Sequence, residues 1–465
     1  MILKNPALYT DLYELTMAQG YFLSGRHEQT ATFDYFFRSL PFDGGYVIFA
    51  GLSDLLQIIQ DFKFHDDELE YLRSQGFKDE FLEYLKNFKL NVNIHSVKEG
   101  EVVFPNEPIL RVDGNLVETQ ILETILLNTL NFSSLIATKA ARIKQAAGDN
   151  PVVDFGLRRS QGLGGLQASK AAMIGGFQGT SNVLAGMQND IPVNGTMAHS
   201  WIQSFEDELT AFRTYAEYYP DSSILLVDTY STLKYGVPNA IKVAKELEEK
   251  GHKLVGIRLD SGDLAYFARK SREMLDEAGL EYVKIAVSNQ LDEHLIKSLF
   301  DQEAPIDLFG VGTKLVTAYD NPALDGVYKL SSINGNPTIK ISENEEKITL
   351  PDAKKVFRYY NKDGSFHSDG IALADEETPD VIYHPYISHR SANVSHLNSE
   401  VLQQKIVENG RVIIKIPSLT DSAEYATSRL KKLNSEHKRF DNPHVYKVGL
   451  SNDLRELKIE LLKNN

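Results

Sequence analysis

The sequence predicts an α/β fold, with an irregular, closed or nearly closed barrel of about seven strand–helix units over residues 150–330. Seven times between Val152 and Thr313 a short apolar run stops at a cluster of Gly, Ser, Thr, Asp, Asn, Arg or His. Most of these clusters precede a stretch with helical periodicity, such as residues 236–250 or 263–278. Continuous apolar strands alternating with helices indicate a parallel sheet covered on both faces. Seven or eight such units within about 180 residues favour a barrel over an open sheet, and their shortness makes it irregular. The joints read DFGLRRS (154–160), FQGTSN (177–182), NGTMAHSW (194–201), VDTYST (227–232), RLDSGD (258–263), VSNQLD (287–292) and FGVGTKL (309–315). Functional chemistry in such sheets gathers at the C-terminal strand ends, where these residues sit.

Before the barrel, residues 1–131 mix helical and strand patterns, with strands expected at 31–37, 92–97, 101–104 and 109–112. A helical stretch over 116–147 leads into the alternating region, which is bounded here at 132–335. Residues 336–465 change to strands with hairpin signals, notably Asn361-Lys-Asp-Gly364 between 356–360 and 365–373. Charged segments 342–347 and 375–380 read as exposed loops, 422–438 as helix and 445–450 as a final strand.

Composition narrows the function. At 465 residues two or three domains are expected, and 42% hydrophobic content supplies their cores. The absence of cysteine removes disulfides, thiolate nucleophiles and zinc–thiolate sites, and fits a cytoplasmic protein. No apolar stretch approaches the ~20 residues of a membrane span, and the N-terminus lacks the pattern of a signal peptide. A net charge of −15 argues against nucleic acid or an anionic membrane as partner. Within this acidic chain, Lys139, Arg142, Arg158, Arg159, Lys170, Arg258 and Lys314 lie at the joints or on the preceding helix, which suggests a small anionic substrate.

Several chemistries are excluded by motif. There is no G-x-x-x-x-G-K-[ST], no G-x-G-x-x-G after a strand, no H-E-x-x-H and no G-x-S-x-G, and the twelve histidines show no metal-ligand spacing. What remains is a set of strand-end groups. His199 follows an expected strand at 191–194 and opens a helical stretch, 201–219. Unpaired N–H groups at a helix start favour an adjacent anion and a neutral, nucleophilic imidazole able to accept a phosphoryl group. In RLDSGD, the Arg258 guanidinium suits a phosphate or carboxylate, while Asp260 and Asp263 suit Mg²⁺ or a developing cation. Asp263 also suits a helix cap, as Ser181 does for a helix at 182–186. Gly310 and Gly312 allow close backbone approach to a phosphate.

In order and spacing the joints resemble the type II phosphoribosyltransferases of pyridine nucleotide salvage, most closely the nicotinate phosphoribosyltransferases. The resemblance covers nearly the whole chain, from TDLYELTMAQGY (10–21) and FDYFFRSLP (33–41), through VFPNEPILRV (103–112) and LIATKAARI (135–143), to RFDNPHVYKVGLS (439–451). It implies an N-terminal α+β sandwich domain to which the C-terminal segments return, and a homodimer with shared sites. It implies nicotinate, phosphoribosyl pyrophosphate and ATP as ligands, with Mg²⁺ on ligands it does not name. It makes His199 the histidine phosphorylated by ATP, and stacks the pyridine between Phe155 and Tyr13 of the partner subunit. Arg158 and Ser181 would hold the pyridine substituent. Arg258, Asp260, Ser288, Gly310, Gly312 and Thr313 would surround the ribose and its phosphates, with Arg38 and Lys139 as further phosphate contacts. Asp228 would either orient His199 or contact the ribose. A nicotinamide- or quinolinate-using relative and a non-catalytic phosphometabolite-binding barrel stand as alternatives.

Overall fold

The computed structural model describes residues 6–344, 347–387 and 389–464. The chain divides into two compact units, Lys139–Pro322 and a discontinuous one made of Met1–Thr138 and Ala323–Asn465.

In the 139–322 unit, buried apolar runs build a six-stranded parallel sheet. Its order is Gly179–Thr180, Val152–Asp154, Leu308–Val311, Lys284–Ser288, Gly256–Leu259, Ile224–Leu226. The first strand in sequence therefore lies between the second and the last. The strand expected at 191–194 contributes only a single bridge, Val193 to Thr180. Pro192 explains the difference: it has no N–H to give to a ladder, though its carbonyl accepts from Thr180 N at 3.0 Å. Helices leave the strand ends where the joints place them. Four start on a side-chain cap: Asn182 for Val183–Asn189, Asp207 for Glu208–Tyr218, Asp263 for Leu264–Glu277 and Asp292 for Glu293–Asp301. The helix expected over 201–219 is instead two, His199–Gln203 and Glu208–Tyr218, because Asp207 turns out to cap the second.

The discontinuous unit holds a seven-stranded and a six-stranded sheet. In the first, Thr30–Phe37 pairs with Leu110–Asn115 on one side and with Gly326–Ile333 on the other, all antiparallel. The alternating region was bounded at 132–335, but residues 326–333 form a strand, Gly326–Ile333, that pairs antiparallel with Thr30–Phe37, so the units part at Pro322 rather than at 335, and at Thr138 rather than at 131. The expected hairpin forms, Lys354–Tyr360 against Phe366–Leu373. Glu101, near the N-terminal strands, accepts from Arg358 and Arg429 of the C-terminal segments, and Arg358 also binds Asp369. All four side chains are buried, so the charges satisfy one another. The 116–147 stretch is Leu116–Gln120 and Glu123–Ala147. By length and composition it does pass as a span, but it is largely buried within the protein. Residues 375–380 form a loop, and the 342–347 loop lies partly outside the described residues.

Candidate active site

The site is assembled at the C-terminal ends of the parallel strands. A cavity of about 400 Å³ is lined by Phe155, Arg158, Ser181, Arg258, Asp260, Ser288, Gly310, Gly312 and Thr313, among others. These joints are far apart in sequence, and the sheet order brings them together.

Phe155 is set by what lies behind it. Asp154 is buried and accepts from Ser169 Oγ (2.7 Å), Thr180 Oγ1 (2.8 Å) and Gly156 N (2.8 Å), which pins the turn carrying the ring. Burial pushes the Asp154 carboxyl above its ordinary value, against those hydrogen bonds. Gly310 faces the ring so closely that a Cβ there would stand 2.4 Å from Phe155 Cδ2. The Arg258 guanidinium lies 6.0 Å from the ring centroid. Ser181 is not the helix cap; Asn182 accepts from Ala185 N at 3.2 Å in that role, which leaves Ser181 on the cavity wall.

The polar wall is built around two carboxylates. Asp228 Oδ2 accepts from Asp260 N (2.8 Å) and Ser261 Oγ (2.6 Å), so the RLDSGD turn hangs on it. Asp260 Oδ1 accepts from Ser288 Oγ and lies 3.7 Å from the Arg258 guanidinium. Arg258 donates to Thr196 Oγ1 and to Met197 O. Burial pushes Arg258 below its ordinary value; Asp260 and Asp228 oppose this, and nearby Arg158 adds to it. His199 Nε2 is 3.8 Å from Asp260 Oδ2 and 4.0 Å from Asp228 Oδ1, and its Nδ1 is 3.0 Å from Thr229 Oγ1. Asp228 Oδ1 is buried and has no hydrogen-bond partner; its nearest charged group is His199 Nε2. Among the described residues no group of three or more His, Cys, Asp or Glu could hold a metal. Of the two carboxylates, Asp260 is partly exposed on the cavity wall, and its chemistry suits a hard cation that is not held in an all-protein cage.

Other expected contacts fall elsewhere. Lys139 is fully buried and bound to Glu293 (2.8 Å) and Asp320 (2.7 Å), and Arg142 is bound to Glu293 (2.7 Å). Lys314 pairs with Asp292 at 3.3 Å. Of the seven basic residues only Arg158, Arg159 and Arg258 line the cavity. Tyr13, on the exposed side of helix Leu12–Leu23, and Arg38, just after strand Thr30–Phe37, belong to the other unit. Sequence reasoning missed Thr196 and Thr229, which hold Arg258 and His199, and also Asn289 and Gln290. The last two line the cavity with consecutive positive φ, 89° and 49°. Such backbone in residues other than glycine is strained and clusters at functional sites.

Comparison with known proteins points to one family. Residues 8–131 match the nicotinate phosphoribosyltransferase N-terminal domain, 151–364 the nicotinate phosphoribosyltransferase family, and 353–458 its C-terminal domain. A nicotinate phosphoribosyltransferase of Bacillus subtilis is 47% identical over 459 residues, covering 96% of this chain and 93% of the relative. The Homo sapiens protein of the same name is 35% identical, covering 97% and 95%. The crystal structure of human nicotinic acid phosphoribosyltransferase superposes with a TM-score of 0.87 at 33% identity, covering 97% of this chain and 99% of that one. With curated relatives this similar along almost its entire length, the chain belongs to the nicotinate phosphoribosyltransferase family.

Proposed function

We propose that this chain transfers the phosphoribosyl group of phosphoribosyl pyrophosphate to nicotinate in NAD salvage, and couples the transfer to ATP hydrolysis through phospho-His199. The products are nicotinate mononucleotide, diphosphate, ADP and phosphate. The observation that carries the reading is the convergence of Phe155, Arg158, Ser181, Arg258, Asp260 and the Gly310–Thr313 turn on one cavity, with His199 against its carboxylates.

In this reading the pyridine lies on Phe155, closed from the other face by the partner subunit's Tyr13, with Arg158 and Ser181 at its carboxylate. Diphosphate leaves C1 of the ribose through a loose, cationic state, so the protein mainly positions groups and offsets charge. Asp260 faces the cationic ribose while Arg258, Ser288, Gly310, Gly312 and Thr313 face phosphates; Arg38 and Lys139 are assigned there too, Lys139 only if its ion pairs open. Mg²⁺ bound with the diphosphate would use Asp260 and neutralise the leaving group. Exposed apolar side chains support pairing with a second copy: Leu157, Leu163, Val183, Leu184 and Met187 in one unit, Tyr9, Leu12, Tyr13 and Met17 in the other. The parallel sheet is read as an irregular barrel, supported by its first strand lying beside its last, and the discontinuous unit as the sandwich domain. A cysteine-free chain with this activity suits the cytoplasm.

The test is ADP release from ATP with and without nicotinate and phosphoribosyl pyrophosphate. Release that depends on both supports the reading. Release with nicotinamide or quinolinate in place of nicotinate assigns a different pyridine, and binding without turnover leaves a non-catalytic protein.

A further inference from the structure

We infer that Thr229 is a positioning residue for His199, and that its hydroxyl sets the ring orientation needed for phosphoryl acceptance. The inference rests on the reading of His199 as the phosphoryl acceptor.

An imidazole at a protein surface has two orientations related by a ring flip, and two neutral tautomers; the partner of one nitrogen decides both. Here the His199 side chain is 39% exposed, so packing alone does not hold it. The only hydrogen bond to the ring among the described residues joins Nδ1 to Thr229 Oγ1, at 3.0 Å. Nε2 has no partner at hydrogen-bonding distance and faces Asp260 and Asp228 at 3.8 and 4.0 Å. Attack on the γ-phosphorus needs a free ring lone pair, and Nε2 is the nitrogen left open; the working tautomer therefore carries its proton on Nδ1 and donates it to Thr229 Oγ1, while Nε2 forms the bond to phosphorus as the bond to the ADP oxygen breaks. Without the hydroxyl, the ring can turn to bring either nitrogen to the carboxylates, and only part of the population keeps the working geometry.

Thr229 is itself well fixed. It follows Val227 and Asp228 at the end of strand Ile224–Leu226, and Asp228 is tied to the next joint by two hydrogen bonds. On its C-terminal side the chain enters a single wide π-turn, Thr232–Gly236, before helix Val237–Glu249. The turn folds back so tightly that a Cβ at Gly236 would stand 1.8 Å from Val227 O. Short π segments inside helices recur at functional sites. This one closes the loop that carries Thr229, so the hydroxyl is presented from a clamped backbone.

The experiment compares Thr229→Val, which keeps the shape without the hydroxyl, Thr229→Ser, which keeps the hydroxyl without the methyl, and the parent. Acid-labile phosphate from γ-labelled ATP, ATP-independent nucleotide formation and the KM for nicotinate are measured on each full-length protein. The expected result is a loss of at least tenfold in labelling rate for Thr229→Val, with nucleotide formation without ATP and the KM within about twofold of the parent. Thr229→Ser should label within about threefold of the parent. Equal labelling of the valine variant and the parent overturns the role. So does an equal loss in valine and serine variants, which would make the methyl the important group. Thr229→Ala gives a second protein without the hydroxyl should the valine variant not fold. A parent that makes nucleotide but takes no label sinks the His199 reading and this inference with it. A labelled parent with a labelled valine variant sinks this inference alone.

Discussion

Gly310→Ala adds one methyl group at the point where strand Leu308–Val311 passes behind the Phe155 ring. The new Cβ would stand 2.4 Å from Phe155 Cδ2 and 2.5 Å from Cε2, where ordinary contact begins at 3.4 Å. The strand cannot retreat easily, because Gly310 is paired with Ser288 on one side and Val153 on the other. The ring must therefore shift by about 1 Å, and a misplacement of that size at a reacting centre costs up to ~100-fold. Overpacking of this kind typically costs ~1–3 kcal/mol, so the protein still folds. We expect kcat/KM for nicotinate to fall between about tenfold and a hundredfold, ~1.4–2.7 kcal/mol. Steady-state kinetics at saturating phosphoribosyl pyrophosphate, with thermal melting as a control, would read it. In a Phe155→Leu background, where the clash is relieved, the same alanine should cost less than about threefold. Unchanged kinetics for Gly310→Ala, or an equal loss in the Phe155→Leu background, would refute the idea that the ring is the element displaced.

Four further outcomes are expected. His199→Asn should abolish nicotinate-dependent ATP hydrolysis and the acid-labile label from γ-labelled ATP, leaving only slow nucleotide formation without ATP; equal labelling of mutant and parent removes His199 from the coupling step. Ser181→Asp should weaken nicotinate use at least about tenfold and improve nicotinamide use relative to it, since two carboxylates at ~4 Å repel by about 4 kcal/mol at an effective dielectric of ~20; an unchanged ratio of kcat/KM for the two pyridines acquits Ser181. Mixing Tyr13→Ala and His199→Asn chains, each lacking ATP-coupled activity, should restore that activity in heterodimers, and no recovery after demonstrated subunit exchange argues for sites built from one chain. Glu14 is buried, with Gln120 and Thr124 donating to it, and burial pushes its carboxyl from 4.5 up to about 7. Its neutral form is the one that folding favours, so the contribution of Glu14 to stability is full below pH 4.5 and is lost as pH rises through about 7. Glu14→Gln should therefore melt higher than the parent at pH 8 and no higher at pH 4, and a pH-independent difference would contradict this.

The strand-end chemistry was legible in the sequence because each joint is local. RLDSGD carries Arg258, Asp260 and Ser261 within a few residues of one buried strand, and the structure puts Arg258 and Asp260 on one cavity wall. What was not legible depended on distant partners. Lys139 and Arg142 count among the basic residues that suggest an anionic substrate, but both are paired with Glu293, about 150 residues on, which no local pattern signals. Residues 326–333 (GVYKLSSI) fell inside the alternating region only by its outer bound, and the antiparallel pairing of Gly326–Ile333 with Thr30–Phe37, some 290 residues away, assigns them to the other unit. Val193 lost its strand to the neighbouring proline, a local signal that periodicity overrode. Thr196 and Thr229 stood in joints already singled out, but a hydroxyl gives no sign of its partner until the loops meet.

The discontinuity of the larger unit has a bearing on biosynthesis. Strand Thr30–Phe37 emerges early, whereas one of its two neighbours, Gly326–Ile333, follows about 290 residues later, a delay of roughly 15–60 s at about 5–20 residues per second. During that interval the strand's outer N–H and C=O groups have no native mate, which is the condition under which sheets recruit foreign strands. The inserted Lys139–Pro322 segment, by contrast, is contiguous and has all six of its parallel strands available by Val311. Maturation thus runs inside out: the catalytic insert can be finished on the ribosome while the body that surrounds it in the gene still waits for its closing strand.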